Sequence, residues 1–248
     1  MSIKTDYQIP PNPPFLKGVT LCALCQCQIK ENALFTGLTE RQLDAFKDVV
    51  GFVQKRRREP VFMEGDECKG LYIIRKGRVK LIRSSSAGKE QIIKLLNPGD
   101  LLGFEVFYDN DKFTNSAIAM EDSELCYIGR DGFFNILKRE PDIARKLIIS
   151  MGRELNQAYE RIGSLGLLNA REKLAHLLYT LAVEYGVKKD GHVRLNLTLS
   201  RLEIAELLGI TQETSIRLLK GFKEQGILDI KRKEIIIKSL DKLKLLGE

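Results

Sequence analysis

Leu199 to Ile227 reads LSRLEIAELLGITQETSIRLLKGFKEQGI, and its punctuation is that of two short helices around a tight turn. Ser200 and Glu203 stand three apart, the spacing of a capping box in which the serine starts the helix and the glutamate reaches back to it. Ile204, Leu207 and Leu208 make one apolar face, and Ala205 is small enough for another helix to approach. Gly209 falls where a left-handed residue ends the first helix. Thr211 is placed to cap the second, whose Ile216, Leu218, Leu219 and Phe222 offer apolar contacts. Such a unit lays its second helix in the major groove of DNA.

The polar side of that second helix carries the chemistry. Glu213 and Arg217 are four apart and share a face. Arginine grips guanine O6 and N7, and glutamate accepts from cytosine N4, so the pair suits a G·C-containing step. The expected contacts from the two helices are Ser200, Thr211, Gln212, Glu213, Ile216, Arg217 and Lys220. Downstream, LDIKRKEIIIK forms a hairpin pattern with Lys231, Arg232 and Lys233 at its tip, a wing placed to touch phosphates beside the groove. A net charge of +7 over 248 residues favours a polyanionic partner. From Arg171 onward fifteen Lys/Arg face eleven Asp/Glu, so the excess in this half is modest.

Working back toward the amino terminus, the chain is long enough for two domains. Pro10, Pro11, Pro13 and Pro14 break regular structure before LCALCQC, making 1–30 a Cys-rich arm. Leu34 to Lys47 has the pattern of a short helix with Thr39 as cap. Residues 52–130 read as many short strands with glycine turns, the signature of a sandwich or roll. LYIIRKGRVKLI predicts a hairpin around Lys76-Gly77, NPGD a turn, and SELCYI a further strand. A long helix is expected from about Pro141 to Gly163. Leu147, Met151, Leu155, Ala158, Ile162 and Leu165 step along it by three or four, an apolar seam of coiled-coil type. The seam predicts a homodimer. Gly163, Gly166 and Asn169 predict a hinge after it.

The expected fold is thus α+β: a β-roll sensor over 31–140, a dimerisation helix and hinge over 141–168, and a winged helix-turn-helix over 169–248. No apolar run approaches the ~20 residues that cross a bilayer, and no signal peptide pattern is present, so the expected location is the cytoplasm. Paired carboxylates, a nucleophile elbow and a Walker-type loop are missing from the sequence, which argues against an enzyme.

This order of parts, with GDECKGLYIIRKGRVKL (65–81), NPGDLLGFE (97–105), NAREKLAHLL (169–178) and the helix-turn-helix itself, resembles the cyclic-AMP receptor protein and fumarate-nitrate reductase regulator (CRP/FNR) family over nearly the whole chain. The resemblance implies a cyclic-nucleotide-binding-like double-stranded β-roll and a dimeric transcription regulator, an activator by expectation. It would act on a palindromic TGA-type site in double-stranded DNA, with RNA polymerase as a further partner. The family's glutamate and arginine that contact the TGA core are matched by Glu213 and Arg217. One departure stands out. The family has an apolar residue at Ser215 and a small one at Ile216, so Ser215 should lie inward and Ile216 should meet a thymine methyl.

Cyclic-nucleotide binders of this family use a Gly-Glu-Leu segment and an Arg-Ser pair. The matching residues here are Gly103-Phe104-Glu105 and Asn115-Ser116-Ala117, and the arginine is missing. Burying a phosphate without a cation is costly, which argues against cyclic AMP. The resemblance instead points to the oxygen-sensing branch, with Cys126 matching its remote ligand. Cys22, Cys25, Cys27 and Cys126 would then hold a [4Fe–4S] cluster, with Cys68 as an alternative ligand. Gln26 alone separates Cys25 from Cys27, a narrower gap than in those sensors. Zinc, thiol oxidation, a small effector other than cyclic AMP, and no cofactor at all stay open as alternatives. The only histidines, His176 and His192, both fall in the carboxyl-terminal half, which argues against haem in the roll.

Overall fold

The computed structural model describes residues 38–46, 49–107, 112–189, 191–231 and 234–247. Three four-stranded antiparallel sheets organise them. The chain divides into two units, mainly inside a long helix between Arg153 and Glu154, with Glu90–Ile92 grouped with the second unit.

The first unit begins with α1 (Glu40–Asp44), where the Thr39 hydroxyl accepts the Gln42 amide at 3.3 Å. The expected cap is therefore present. The helix is shorter than the predicted span, because Ala45 and Phe46 already form a turn. Eight strands follow: β1 (Val50–Lys55), β2 (Pro60–Phe62), β3 (Gly70–Lys76), β4 (Val79–Ser84), β5 (Glu90–Leu96), β6 (Leu101–Leu102), β7 (Ser116–Ala119) and β8 (Ser123–Gly129). They form two sheets in the orders β1-β8-β3-β6 and β2-β7-β4-β5.

This topology corrects the predicted hairpin at Lys76-Gly77. β3 pairs with β8 and β6, while β4 pairs with β7, so the turn carries the chain from one sheet to the other. Gly77 is needed there twice over. Its φ is +82°, and a Cβ would fall 2.3 Å from the Ser123 hydroxyl. The NPGD turn is as expected: the Asn97 amide donates to Asp100 Oδ2 at 2.8 Å, and the Asp100 amide to the Asn97 carbonyl at 3.0 Å.

Between the two sheets lies an aromatic interior. Phe62 stacks on Phe113 at 3.7 Å and contacts Tyr72 at 5.8 Å, and Tyr72 meets Tyr127 at 5.0 Å. Leu71 to Ile74 are buried on both faces of β3, as a central strand demands. Burial holds the Tyr72 hydroxyl well above the ordinary tyrosine range, with smaller contributions from Tyr127, Cys68 and Asp66. After β8 come α2 (Arg130–Arg139) and the long α3 (Pro141–Leu167).

The second unit comprises α4 (Ala170–Tyr185), β9 (Gly186–Lys189), β10 (His192–Leu195), α5 (Arg201–Leu208), α6 (Gln212–Glu224), β11 (Leu228–Lys231), β12 (Glu234–Ile237) and α7 (Leu240–Gly247). Its sheet runs β11-β12-β10-β9. Leu174, Leu178 and Leu181 of α4 supply core, with Ile204, Leu208, Leu219 and Phe222 from α5 and α6. Gly163 and Gly166, expected in a hinge, are helical. α3 continues to Leu167, and Asn169 is instead the N-cap of α4, its side chain accepting the Arg171 and Glu172 amides.

Candidate nucleic-acid interface and cysteine site

The helix-turn-helix is built by local rules. The Glu203 amide donates to Ser200 Oγ at 3.1 Å, and the Ser200 amide to Glu203 Oε2 at 2.8 Å, so the capping box is complete. Gly209 adopts φ 68° and ψ 31°, the left-handed stop. Thr211 Oγ1 accepts the Thr214 amide at 3.2 Å and starts α6.

α6 is divided sharply by side. Ser215, Leu219 and Phe222 are buried, whereas Gln212, Glu213, Ile216, Arg217 and Lys220 are exposed. Ser215 lies inward and Ile216, 47 % exposed, lies outward, as expected. Among the described residues no ion pair joins Glu213 to Arg217, so both are left to meet solvent or a ligand. Lys220 instead pairs with Glu224 at 3.8 Å. The Glu213 carboxyl sits below its ordinary range because its own backbone amide, and then the Thr211 hydroxyl, donate to it. An ionised acceptor at a helix start is what cytosine N4 requires.

The wing is present as the β11–β12 hairpin, with Lys231 in register with Glu234. Arg232 and Lys233 lie outside the described residues. Two ion pairs brace this hairpin: Arg194 with Glu234 at 2.6 Å, and Lys223 of α6 with Asp229 at 3.0 Å. Sequence reasoning missed Arg171. Its guanidinium donates to Gln225 Oε1 at 2.8 Å and lies 5.8 Å from the Phe222 ring centroid, pinning the end of α6 to the start of α4. The Asn169-x-x-Glu172 capping pattern was the available signal that α4 begins beside it.

The dimer seam needs a correction. Leu147 is only 5 % exposed and belongs to the roll's core, and Met151 packs against that core. Both are used by their own chain. Leu155 (54 % exposed) and Ile162 (65 %) do face outward, and Ala158 and Leu165 are exposed as well. The stripe they share runs through Ile148, Leu155 and Ile162 at seven-residue intervals, with Tyr159 between. It keeps Leu155 and Ile162 of the predicted seam and replaces Leu147 and Met151 by Ile148 and Tyr159.

Cys22, Cys25 and Cys27 lie outside the described residues. Cys126 is fully buried in β8, in register with Phe52 and Ile73. Tyr127 contributes to the aromatic interior, so strand alternation turns Cys126 to the opposite face of the sheet. Cys68, proposed as an alternative ligand, is buried near the start of β3, its Sγ 3.6 Å from the Gly70 carbonyl. Among the described residues no three His, Cys, Asp or Glu side chains form a metal cage.

The segments matching a nucleotide cassette satisfy themselves. Glu105 Oε1 accepts from the Thr114 amide at 3.0 Å and its hydroxyl at 2.7 Å. The Asn115 side-chain amide donates to Thr114 Oγ1 at 3.0 Å, and Ser116 Oγ accepts the Glu64 amide at 2.9 Å. Among the described residues no helix is long and apolar enough to cross a membrane.

A β-roll followed by a long helix and a winged helix-turn-helix with an exposed recognition face defines a class of DNA-binding regulator. Comparison with known proteins agrees. Residues 52–140 match the cyclic nucleotide-binding domain family and residues 172–246 the Crp-like helix-turn-helix domain. The regulatory protein HlyX of Actinobacillus pleuropneumoniae is 33 % identical, over 91 % of this chain and 95 % of its own. The fumarate and nitrate reduction regulatory protein of Salmonella typhimurium is 31 % identical over 91 % of each. Among solved structures, FixK2 of Bradyrhizobium japonicum superposes with a TM-score of 0.71 at 25 % identity, over 81 % of this chain and 98 % of its own.

The chain belongs to the CRP/FNR family, in the FNR-like branch with the anaerobic regulatory proteins. It is a DNA-binding transcription regulator of that type, and its relatives are regulators rather than enzymes.

Proposed function

We propose that this regulator works as a cytoplasmic homodimer on a palindromic TGA-type site, under control of oxygen or redox state through a cysteine-bound iron–sulfur cluster. The observation that carries the DNA reading is the exposed row Glu213, Ile216 and Arg217 at the start of a capped helix. Arg217 reads guanine, Glu213 reads cytosine, and Ile216 covers a thymine methyl. Ser200, Thr211, Gln212 and Lys220 flank that row, and Lys231, Arg232 and Lys233 are assigned to phosphates.

Pairing uses the exposed stripe of α3. Ile148, Leu155, Tyr159 and Ile162 present apolar surface that a second copy would cover in coiled-coil fashion. Two recognition helices would then address two half-sites about one DNA turn apart. RNA polymerase is the further partner that an activator of this type would engage.

For control, the donor set suits the group in kind: four thiols are the usual complement for a [4Fe–4S] cluster. Cys126 would hold it from the sheet face turned away from the aromatic interior, and Cys22, Cys25 and Cys27 would hold it from the arm. When bound, the cluster supplies an oxygen-labile link between arm and roll. The names of the anaerobic regulatory relatives support this reading. The self-satisfied hydrogen bonds of Glu105, Thr114 and Ser116 support the view that cyclic AMP is not the effector.

Iron and acid-labile sulfide analysis of anaerobically purified protein tests the cluster. The expected result is a brown protein carrying both elements, bleached by air, and depleted of iron in the Cys126→Ala variant. A colourless protein without iron or sulfide would leave thiol oxidation or zinc as the basis of control.

A further inference from the structure

The wing hairpin, Leu228 to Ile237, carries two acids, Asp229 and Glu234, among its basic residues. A carboxylate beside a phosphate-binding lysine cancels part of its charge, so the direction each acid takes matters for DNA. Register sets Lys231 directly opposite Glu234. Residues so paired share one face of the sheet, with Cβ atoms about 5 Å apart, where opposite charges attract. Glu234 is thus well placed to neutralise Lys231.

Glu234 is engaged elsewhere. Arg194 of β10 is in register with Ile236, two residues along β12 from Glu234, so the three share that face. Arg194 is therefore the diagonal neighbour of Glu234, within reach of a long side chain. Its guanidinium donates to Glu234 Oε1 at 2.6 Å, a charge-assisted bond. The second acid is treated alike: Asp229 of β11 pairs with Lys223 of α6 at 3.0 Å. Both wing carboxylates are held by cations from outside the hairpin. Lys231 is exposed and enters no ion pair among the described residues.

We propose that Arg194 is a positioning residue for DNA binding, a role that rests on Lys231 meeting a backbone phosphate. By holding Glu234 away from Lys231, Arg194 leaves the lysine charge free for that contact. It acts through Glu234 and touches no phosphate itself. A planar guanidinium suits the task, since it fixes a carboxylate in one direction. The pair is half-exposed, and such pairs add little to stability, so its effect falls on charge placement rather than on the fold.

Fluorescence anisotropy of the full-length protein across a salt series tests this, with a TGA-containing duplex and a generic duplex. Lys231→Ala and Arg194→Gln should each weaken binding about fivefold and lower the slope of log affinity against log salt by about 0.9 per chain. The losses should be similar on both duplexes. Lys231→Ala/Arg194→Gln should bind no more weakly than either single variant. Glu234→Gln should restore most of the affinity of Arg194→Gln, yet change the native protein less than about twofold. Arg194→Gln should melt where the native protein does. Equal gains from Glu234→Gln in both backgrounds would mean that Arg194 meets phosphate itself, and would overturn the proposal. So would a lowered melting temperature in Arg194→Gln whose binding loss Glu234→Gln does not repair. An unchanged salt slope in Lys231→Ala would remove the phosphate contact and the proposal with it. A lowered slope in Lys231→Ala but not in Arg194→Gln would overturn the proposal alone.

Discussion

Ser215 places a fully buried hydroxyl against the core of the helix-turn-helix, and its Oγ has no hydrogen-bond partner among the described residues. An unsatisfied buried hydroxyl is destabilising, so Ser215→Ala should raise stability by about 1 kcal/mol with DNA affinity unchanged. Urea unfolding measures this, and a loss of stability would mean that the hydroxyl has a partner after all. Glu213 supports a pH prediction. Its carboxyl is lowered by its own amide and then by Thr211, so the ionised form is favoured in the fold. That contribution is present above the ordinary carboxylate pKa and is lost only as pH falls through the depressed value. Preference for the G·C step should therefore hold from neutrality to about pH 5, as competition binding with altered half-sites can show. Loss of preference already near pH 6 would contradict it. The inward Ser215 and outward Ile216 were legible through the family resemblance, which has an apolar residue at the first position and a small one at the second. The unpaired hydroxyl was not, since partners depend on packing from other elements.

At the scale of elements, α3 shows where periodicity runs short. A helix with apolar residues on two adjacent faces offers two seams, and spacing alone does not say which one its own chain covers. Leu147 and Met151 went to the roll, while Ile148, Leu155, Tyr159 and Ile162 stayed exposed. Leu155→Glu should leave each chain folded and yield monomers by sedimentation. Leu147→Glu should instead unfold the roll, since an unpaired buried charge costs several kcal/mol. Intact dimers in Leu155→Glu would move the seam elsewhere. The Lys76-Gly77 turn teaches a related lesson. The turn was legible from its glycine, but the pairing of its flanking strands was not, because both find partners far along the chain, Ile73 with Cys126 in β8 and Val79 with Ala119 in β7. The caps and the glycine stop of the helix-turn-helix were legible because they are local, whereas Ile216, read among the apolar contacts, is exposed.

For the whole molecule, the order of roll, long helix and winged helix-turn-helix could be read in advance because each part has its own period and punctuation. The control mechanism was less legible. Three of the proposed ligands lie outside the described residues, and the fourth is one buried thiol in a strand, a place where cysteine also serves as plain core. If the cluster governs pairing, air should shift anaerobic protein toward monomer, and Cys126→Ala should resemble the air-treated form in sedimentation. An unchanged dimer in both would separate control from assembly. The account rests most on two recognition helices reading one symmetric site. Sedimentation equilibrium of anaerobic protein with a TGA-containing palindromic duplex addresses this directly. Two chains per duplex are predicted, with Arg217→Ala losing the preference for that sequence by about 1–3 kcal/mol per half-site. One chain per duplex, or a variant that still prefers the palindrome, would contradict the account.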